Sequence, residues 1–264
     1  MELVRDERGG VTVVRDGHPQ SYVDPDDPLL LVFEYVQHLA LVLESLRPDP
    51  APLATTHVGG AGMTLARWLH RTHPGSPQIV LEPDTALTEL VRRELPLPRG
   101  HRVRVRPQTG QEGVQHLRDA SADVVVVDAY DDGRVPGALA GQAFARELAR
   151  VLAPDGLLLV NAADLPGLRW VARLGATLRT CLPHVGQLVL REVASGKRYG
   201  NVVLVASRRP LDDVTLTRAA ARAPFPTRWR PSAEVAAAER GVRPFGEVGE
   251  PSPPPPDSGP LRLR

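Results

Sequence analysis

The feature that most constrains this chain is the run Asp123-Val124-Val125-Val126-Val127-Asp128. Four successive β-branched residues favour extended backbone, and no polar residue alternates among them, so the segment has no solvent face. It is expected to be a central parallel strand covered by helices on both sides, and the flanking sequence supplies the alternation such a sheet needs. Short β-branched or apolar segments at 55–58, 79–81, 103–105, 123–127 and 157–160 predict strands. Between them, 63–73, 84–94, 113–117, 142–152 and 168–178 predict helices, and a strand-helix alternation of this kind makes a mostly parallel sheet. Two further strands, 187–190 and 201–205, flank a loop containing Ser195-Gly196, which predicts an antiparallel hairpin at the sheet's C-terminal edge.

Outside this frame, Val11 to Val14, the turn signal Asp16-Gly17 and Gln20 to Val23 predict a small β-hairpin element over 1–27. Asp26-Asp27-Pro28 offers an N-cap for a long helix over 29–46. The main α/β domain is expected over 28–222, and 223–264, with its Pro-rich stretch 251–260, is expected to be a largely disordered tail. At 264 residues and 42% hydrophobic content, one such domain with appendages is the natural size. Lys+Arg 32 against Asp+Glu 31 leaves a formal net charge of +1, without the field that would attract nucleic acid. No apolar run approaches the roughly 20 residues of a membrane span, and residues 1–6 carry no signal-peptide apolar region. Cys181 is the single cysteine, so neither a disulfide within the chain nor a thiolate metal site can be built. A soluble cytoplasmic protein without a metal, a membrane or a nucleic-acid partner is expected.

Two motifs carry chemistry. The first is His57-Val58-Gly59-Gly60-Ala61-Gly62-Met63-Thr64, a Gly-rich turn between the first parallel strand and its helix. Gly59, Gly60 and Gly62 allow close backbone approach to a ligand, and Glu82 ends the next strand where an acid can accept from ribose hydroxyls. The glycines lack the GxGxxG register of a pyrophosphate site, so a nucleoside of the S-adenosylmethionine type fits better than a dinucleotide. The second is Asp128-Ala129-Tyr130-Asp131-Asp132. Ligands of open α/β sheets bind at the carboxyl ends of the strands, which brings Asp128 and Asp131 to the crevice of Glu82, and paired carboxylates suit a cationic amine. His57 and His184 lack a second nearby ligand and are expected to be structural, and Ser195 and Ser207 stand in no nucleophile elbow.

These motifs, taken in order with Gln20-Ser21-Tyr22-Val23-Asp24, Glu82-Pro83-Asp84, Leu152-Ala153-Pro154-Asp155-Gly156 and Gly200-Asn201-Val202-Val203-Leu204, resemble the spermidine synthase (polyamine aminopropyltransferase) family, in particular its divergent actinobacterial-type members. The resemblance implies a Rossmann-like domain of the S-adenosylmethionine-type methyltransferase fold, preceded by a small β element, acting as a homodimer. It implies transfer of an aminopropyl group from decarboxylated S-adenosylmethionine, as co-substrate, to a diamine such as putrescine, with methylthioadenosine as product and no tightly bound cofactor. By resemblance, Asp128 positions or deprotonates the attacking amine and Asp131 binds the diamine. Glu82 holds the ribose, Thr109 and Gln20 border the nucleoside, and Tyr130 and Tyr35 border the amine. The chain departs from the family pattern at Ala61 and at Gln108-Thr109-Gly110, where the family carries acids. Two alternatives stay open: a methyltransferase using S-adenosylmethionine itself, with Arg67 or backbone N–H groups receiving its carboxylate, and a non-catalytic scaffold with an eroded site.

Overall fold

The protein is described from a computed structural model. The residues described are 1–15 and 17–256; Asp16 of the expected turn and positions 257–264 of the expected tail lie outside them.

Three strands open the chain, β1 (Glu2–Arg5), β2 (Val11–Arg15) and β3 (His18–Val23), paired antiparallel in that order. The expected hairpin is therefore a three-stranded sheet; β1 is largely exposed and has no apolar alternation to announce it. The first helix, α1 (Glu34–Leu46), starts later than Asp26-Asp27-Pro28 suggests. Asp24 Oδ1 accepts from the backbone N–H groups of Asp26 and Asp27, and Asp27 Oδ1 from that of Leu29, so these acids close turns instead of capping a helix.

The main domain then runs β4 (Thr55–Val58), α2 (Thr64–Thr72), β5 (Gln78–Leu81), α3 (Thr85–Glu94), β6 (Val103–Arg106), α4 (Gly110–Gln115), β7 (Ala122–Val127), α5 (Gln142–Val151), β8 (Leu152–Asp164) and α6 (Arg169–Arg179). It continues through β9 (His184–Leu190), α7 (Arg191–Ala194), β10 (Gly200–Ser207), α8 (Asp213–Arg222), β11 (Thr227–Arg230) and α9 (Ser232–Ala238). The eight strands lie in the order β11-β9-β10-β8-β7-β4-β5-β6. Strands β4 to β8 are parallel, and β10 is antiparallel to both β8 and β9, as the hairpin signal predicts. This is an α/β sheet of the Rossmann-like, methyltransferase type, and the chain reverses its winding direction between β4 and β7.

The valine run sits at the centre. Val125 and Val127 face the layer of α5 and α6 with Leu148, Val171 and Leu174, while Val124 and Val126 face α1, α2 and α8 with Leu39, Leu69 and Leu216. All four valines are at most 2% exposed, each contributing roughly 1.5–2 kcal/mol of burial free energy. A third cluster joins Val11, Val13 and Val23 of the small sheet to Met63 and Ala66. At the opposite edge, β6 turns Val103 inward and leaves Arg104 exposed, and Arg102 just before it is exposed as well.

Residues 223–256 are ordered, against the expectation of a disordered tail. Trp229, Val235 and Phe245 are the anchors, none more than 4% exposed. Strand β11 adds to β9, with the Trp229 indole over Gly186, where a Cβ would meet the ring at 2.3 Å. Phe245 packs against the Trp170 ring, and the Arg173 guanidinium lies 4.1 Å from the Phe245 ring centre. The proline-rich stretch lacks apolar anchors, but Ser252 within it is fully buried and tied down by hydrogen bonds. Among the described residues no helix is long and apolar enough to cross a membrane, and no cluster of His, Cys, Asp and Glu could hold a metal ion.

Candidate active site

The reversal of winding between β4 and β7 opens a crevice at the carboxyl ends of the strands, where ligands of open α/β sheets sit. A cavity of about 620 Å³ occupies it. Gly59 explains how its floor is made: at φ +94° its N–H donates to the Leu81 carbonyl at 3.0 Å, and a Cβ on it would lie 2.0 Å from the Asp128 carbonyl oxygen. Only glycine lets the loops after β4 and β7 meet in this way. Ala61 and Met63 are also left-handed, at φ 36° and 57°, so the whole loop is wound tightly before α2 begins.

Glu82 lies across this loop. Its Oε2 accepts from the Gly60 N–H at 3.0 Å and the Ala61 N–H at 3.4 Å, and its Oε1 from the Asp84 N–H at 2.9 Å. A carboxylate has about four lone-pair sites, so acceptor capacity remains on the cavity side. Of the loop residues and the acid read from the sequence, Gly59, Gly60 and Glu82 line the cavity and Gly62 does not. Its N–H donates to Ser21 Oγ at 2.9 Å and its Cα packs against β3, so this glycine serves the docking of the small sheet. Thr64 Oγ1 reinforces that docking by donating to the Tyr22 carbonyl at 2.8 Å.

Asp128 follows β7 and is the best-defined acid of the crevice. Because Val127 pairs with Val160 in parallel register, Asp128 and Asn161 fall side by side, and Asn161 Nδ2 donates to Asp128 Oδ1 at 2.9 Å. Burial pushes the Asp128 carboxyl up to about 6, against the opposing pull of hydrogen bonds from Asn161 and Tyr35. Tyr35 and Tyr130 line the same cavity, and burial raises both hydroxyls well above the ordinary tyrosine range, with the Asp128 charge adding to the effect. The Tyr130 hydroxyl lies near the Ala163 backbone N–H but makes no hydrogen bond of ordinary geometry. Asn161 was not among the candidates read from the sequence; the available signal was a polar residue directly after the apolar stretch 157–160.

The remaining candidates divide. Asp131 and Gln20 line the cavity, Asp131 from the exposed rim. Thr109 also lines it, but its hydroxyl is engaged in a capping box with Glu112 at the start of α4. Arg67 is buried and does not border the cavity. Its guanidinium donates to the carbonyls of Gly62, Leu95 and Pro96, so it is not placed to receive a ligand carboxylate. His57 has the structural role expected of it, its Nε2 2.8 Å from Gln78 Oε1 within the sheet.

Sheet order, winding reversal and the acid-lined crevice define a protein of the S-adenosylmethionine-type methyltransferase fold. No protein-family model matches the chain. Over 158 residues it is 27% identical to the polyamine aminopropyltransferase of Neisseria meningitidis serogroup A, a stretch covering 59% of each chain. The structure superimposes on a probable spermidine synthase from Corynebacterium glutamicum with a TM-score of 0.87 and 25% identity, covering 100% of this chain and 95% of that one. With the spermidine synthase of Thermotoga maritima the TM-score is 0.60 at 17% identity, over 90% of this chain and 83% of that one. Within the methyltransferase-fold class, these likenesses support the spermidine synthase family.

Proposed function

We propose that this chain is an aminopropyltransferase that moves an aminopropyl group from decarboxylated S-adenosylmethionine to a primary amine of a diamine such as putrescine. The observation that carries the proposal is the Asp128 carboxylate, desolvated, held by Asn161 and raised to about 6 beside the cavity. An amine attacks the carbon next to the donor's sulfonium only as a free base. In the step, the C–N bond forms, the C–S bond breaks with its electron pair going to sulfur, and one ammonium proton is lost. A carboxyl poised near neutral pH is matched to accept that proton, a contribution of about 10²–10⁴ in rate. Glu82 accepts from the ribose hydroxyls, Gly59 and Gly60 let the nucleoside lie against backbone, and Asp131 at the rim pairs with the diamine's second ammonium. Gln20 and Thr109 border the nucleoside by shape, Thr109 with its hydroxyl already engaged. Tyr35 and Tyr130 flank the amine. The family likeness also supports a homodimer, which sedimentation of the purified chain tests, and the single cysteine fits a reducing cytoplasm.

The deciding experiment is calorimetric binding of methylthioadenosine, S-adenosylmethionine and decarboxylated S-adenosylmethionine, repeated with Glu82→Ala, together with turnover on putrescine. Tightest binding of the decarboxylated donor or of methylthioadenosine, lost in Glu82→Ala, supports aminopropyl transfer. Preference for the carboxylated cofactor would replace it with methyl transfer. Absence of any nucleoside binding would leave a scaffold.

A further inference from the structure

Residues 129–141 form one wall of the cavity and carry Tyr130 and Asp131. This wall has little structure of its own. Asp131 and Arg134 exchange backbone hydrogen bonds across a tight turn with Asp132 and Gly133 at φ 48° and 69°, and a single helical turn, Gly137–Leu139, follows. Helix α5 then begins at Gly141, which has no side chain with which to cap it.

What the wall lacks is supplied from behind by residues far along the chain. Ser252 is fully buried, its Oγ accepts from the Val135 N–H at 2.9 Å, and its own N–H donates to the Val135 carbonyl at 3.0 Å. Arg134 Nε donates to the Ser252 carbonyl at 2.6 Å, and the Gly249 N–H donates to the Gly137 carbonyl at 3.1 Å. The open N–H groups of the first α5 turn donate to this segment too, Gln142 to Gly246 at 2.8 Å and Ala143 to Glu247 at 3.2 Å. The fit leaves no room. A Cβ on Gly137 would lie 2.5 Å from the Gly249 oxygen, and one on Gly141 2.2 Å from the Glu247 oxygen. Phe245 under Trp170, and Trp170 Nε1 donating to the Glu250 carbonyl at 2.9 Å, fasten the segment to α6.

We infer that residues 245–255 are a strap that sets the position of the 129–141 wall, with Ser252 as a positioning residue through which the affinity for the amine, more than that for the nucleoside, is fixed. The nucleoside-binding elements, the loop after β4 and Glu82, make no hydrogen bond to the strap among the described residues. The amine readout rests on the proposed aminopropyl transfer; the positional readout does not.

The test uses the full chain with Ser252→Ala, Gly137→Ala as a wedge, and Val248→Ser, at a strap residue 69% exposed, as control. Amide hydrogen exchange, methylthioadenosine affinity and amine KM are measured for each. Leaving one buried N–H without its acceptor corresponds to about a tenfold effect. We expect exchange at positions 134–143 to quicken about tenfold in Ser252→Ala and Gly137→Ala and to stay unchanged at 58–64. Amine KM rises about tenfold while kcat at saturation holds and methylthioadenosine affinity falls by a smaller factor, and the control matches the parent. Unchanged exchange at 134–143, faster exchange throughout the chain, or an equal loss of nucleoside affinity would overturn the strap. An unchanged amine KM with local exchange raised would overturn its role in amine affinity. A parent protein that transfers nothing to any amine counts against the proposed reaction, and the exchange pattern then decides the strap alone.

Discussion

Asn161 and Asp128 stand side by side at the carboxyl ends of β8 and β7, with 2.9 Å between the amide nitrogen and the carboxylate oxygen. The amide favours the charged carboxylate while burial opposes it, and the balance places the group at about 6. Activity that needs the carboxylate therefore rises with pH through about 6. Asn161→Ala removes a group that lowers the value, so the rising limb moves to higher pH. Asp128→Asn abolishes the limb and lowers kcat by about 10²–10⁴. A limb that stays put in Asn161→Ala, measured as kcat/KM against pH, would show that another group titrates.

Gly59→Ala should be among the most damaging single changes. The new methyl would lie 2.0 Å from a backbone oxygen at a φ of +94°, so the loops after β4 and β7 must part. A loss of at least about 2 kcal/mol is expected, from left-handed strain and the overlap together. Urea unfolding measures it, and methylthioadenosine affinity should fall with it.

Arg67→Met separates stability from ligand choice. The guanidinium serves three backbone carbonyls in a buried position, and burial already holds it down at about 10. Leaving those carbonyls without donors costs about 2–4 kcal/mol. The preference between carboxylated and decarboxylated donor should not change; a shift toward the decarboxylated form would mean that Arg67 does reach the ligand.

Thr109→Ala removes the capping box of α4 and should cost about 1 kcal/mol in stability. Because the hydroxyl is already engaged with Glu112, nucleoside affinity should change by less than about threefold. A larger loss in calorimetry would show that the hydroxyl turns toward the ligand.

His57 makes stability depend on acid. Burial holds it down at about 4, below the 6.5 of an unfolded chain, so the folded state refuses a proton that the unfolded state accepts. Its contribution is complete above pH 6.5 and is lost as the pH falls through about 4. Asp128, with its raised value, acts in the opposite direction between about 4 and 6, so the His57 part is read from the difference between variant and parent. His57→Gln keeps a partner for Gln78 but does not titrate. Between pH 7 and 4 its stability should gain on the parent by up to about 3 kcal/mol, read from denaturant midpoints.

The central sheet was legible because its signals are local. The valine run and the glycines after β4 act through the backbone of their own residues. Asp128, Glu82 and Gly59 could be placed because strand ends in a parallel sheet share one edge. Asn161 could not, since its role depends on register with a strand more than 30 positions earlier in the chain. Gly62 reads like Gly59 in the sequence, yet one meets Asp128 and the other Ser21, a difference that only the packing of β3 creates. The residues after 222 look featureless because their anchors, Trp229, Val235 and Phe245, are spaced too widely to form a pattern.

Strand β6 has a consequence for how copies of this protein meet. It is the last strand on its side of the sheet and carries the exposed Arg104, while the Arg102 guanidinium just before it donates to the Gly75 carbonyl at 3.0 Å. A second β6 laid alongside would set guanidinium against guanidinium, and like charges across a strand pair repel. That repulsion opposes growth of the sheet from molecule to molecule at this margin.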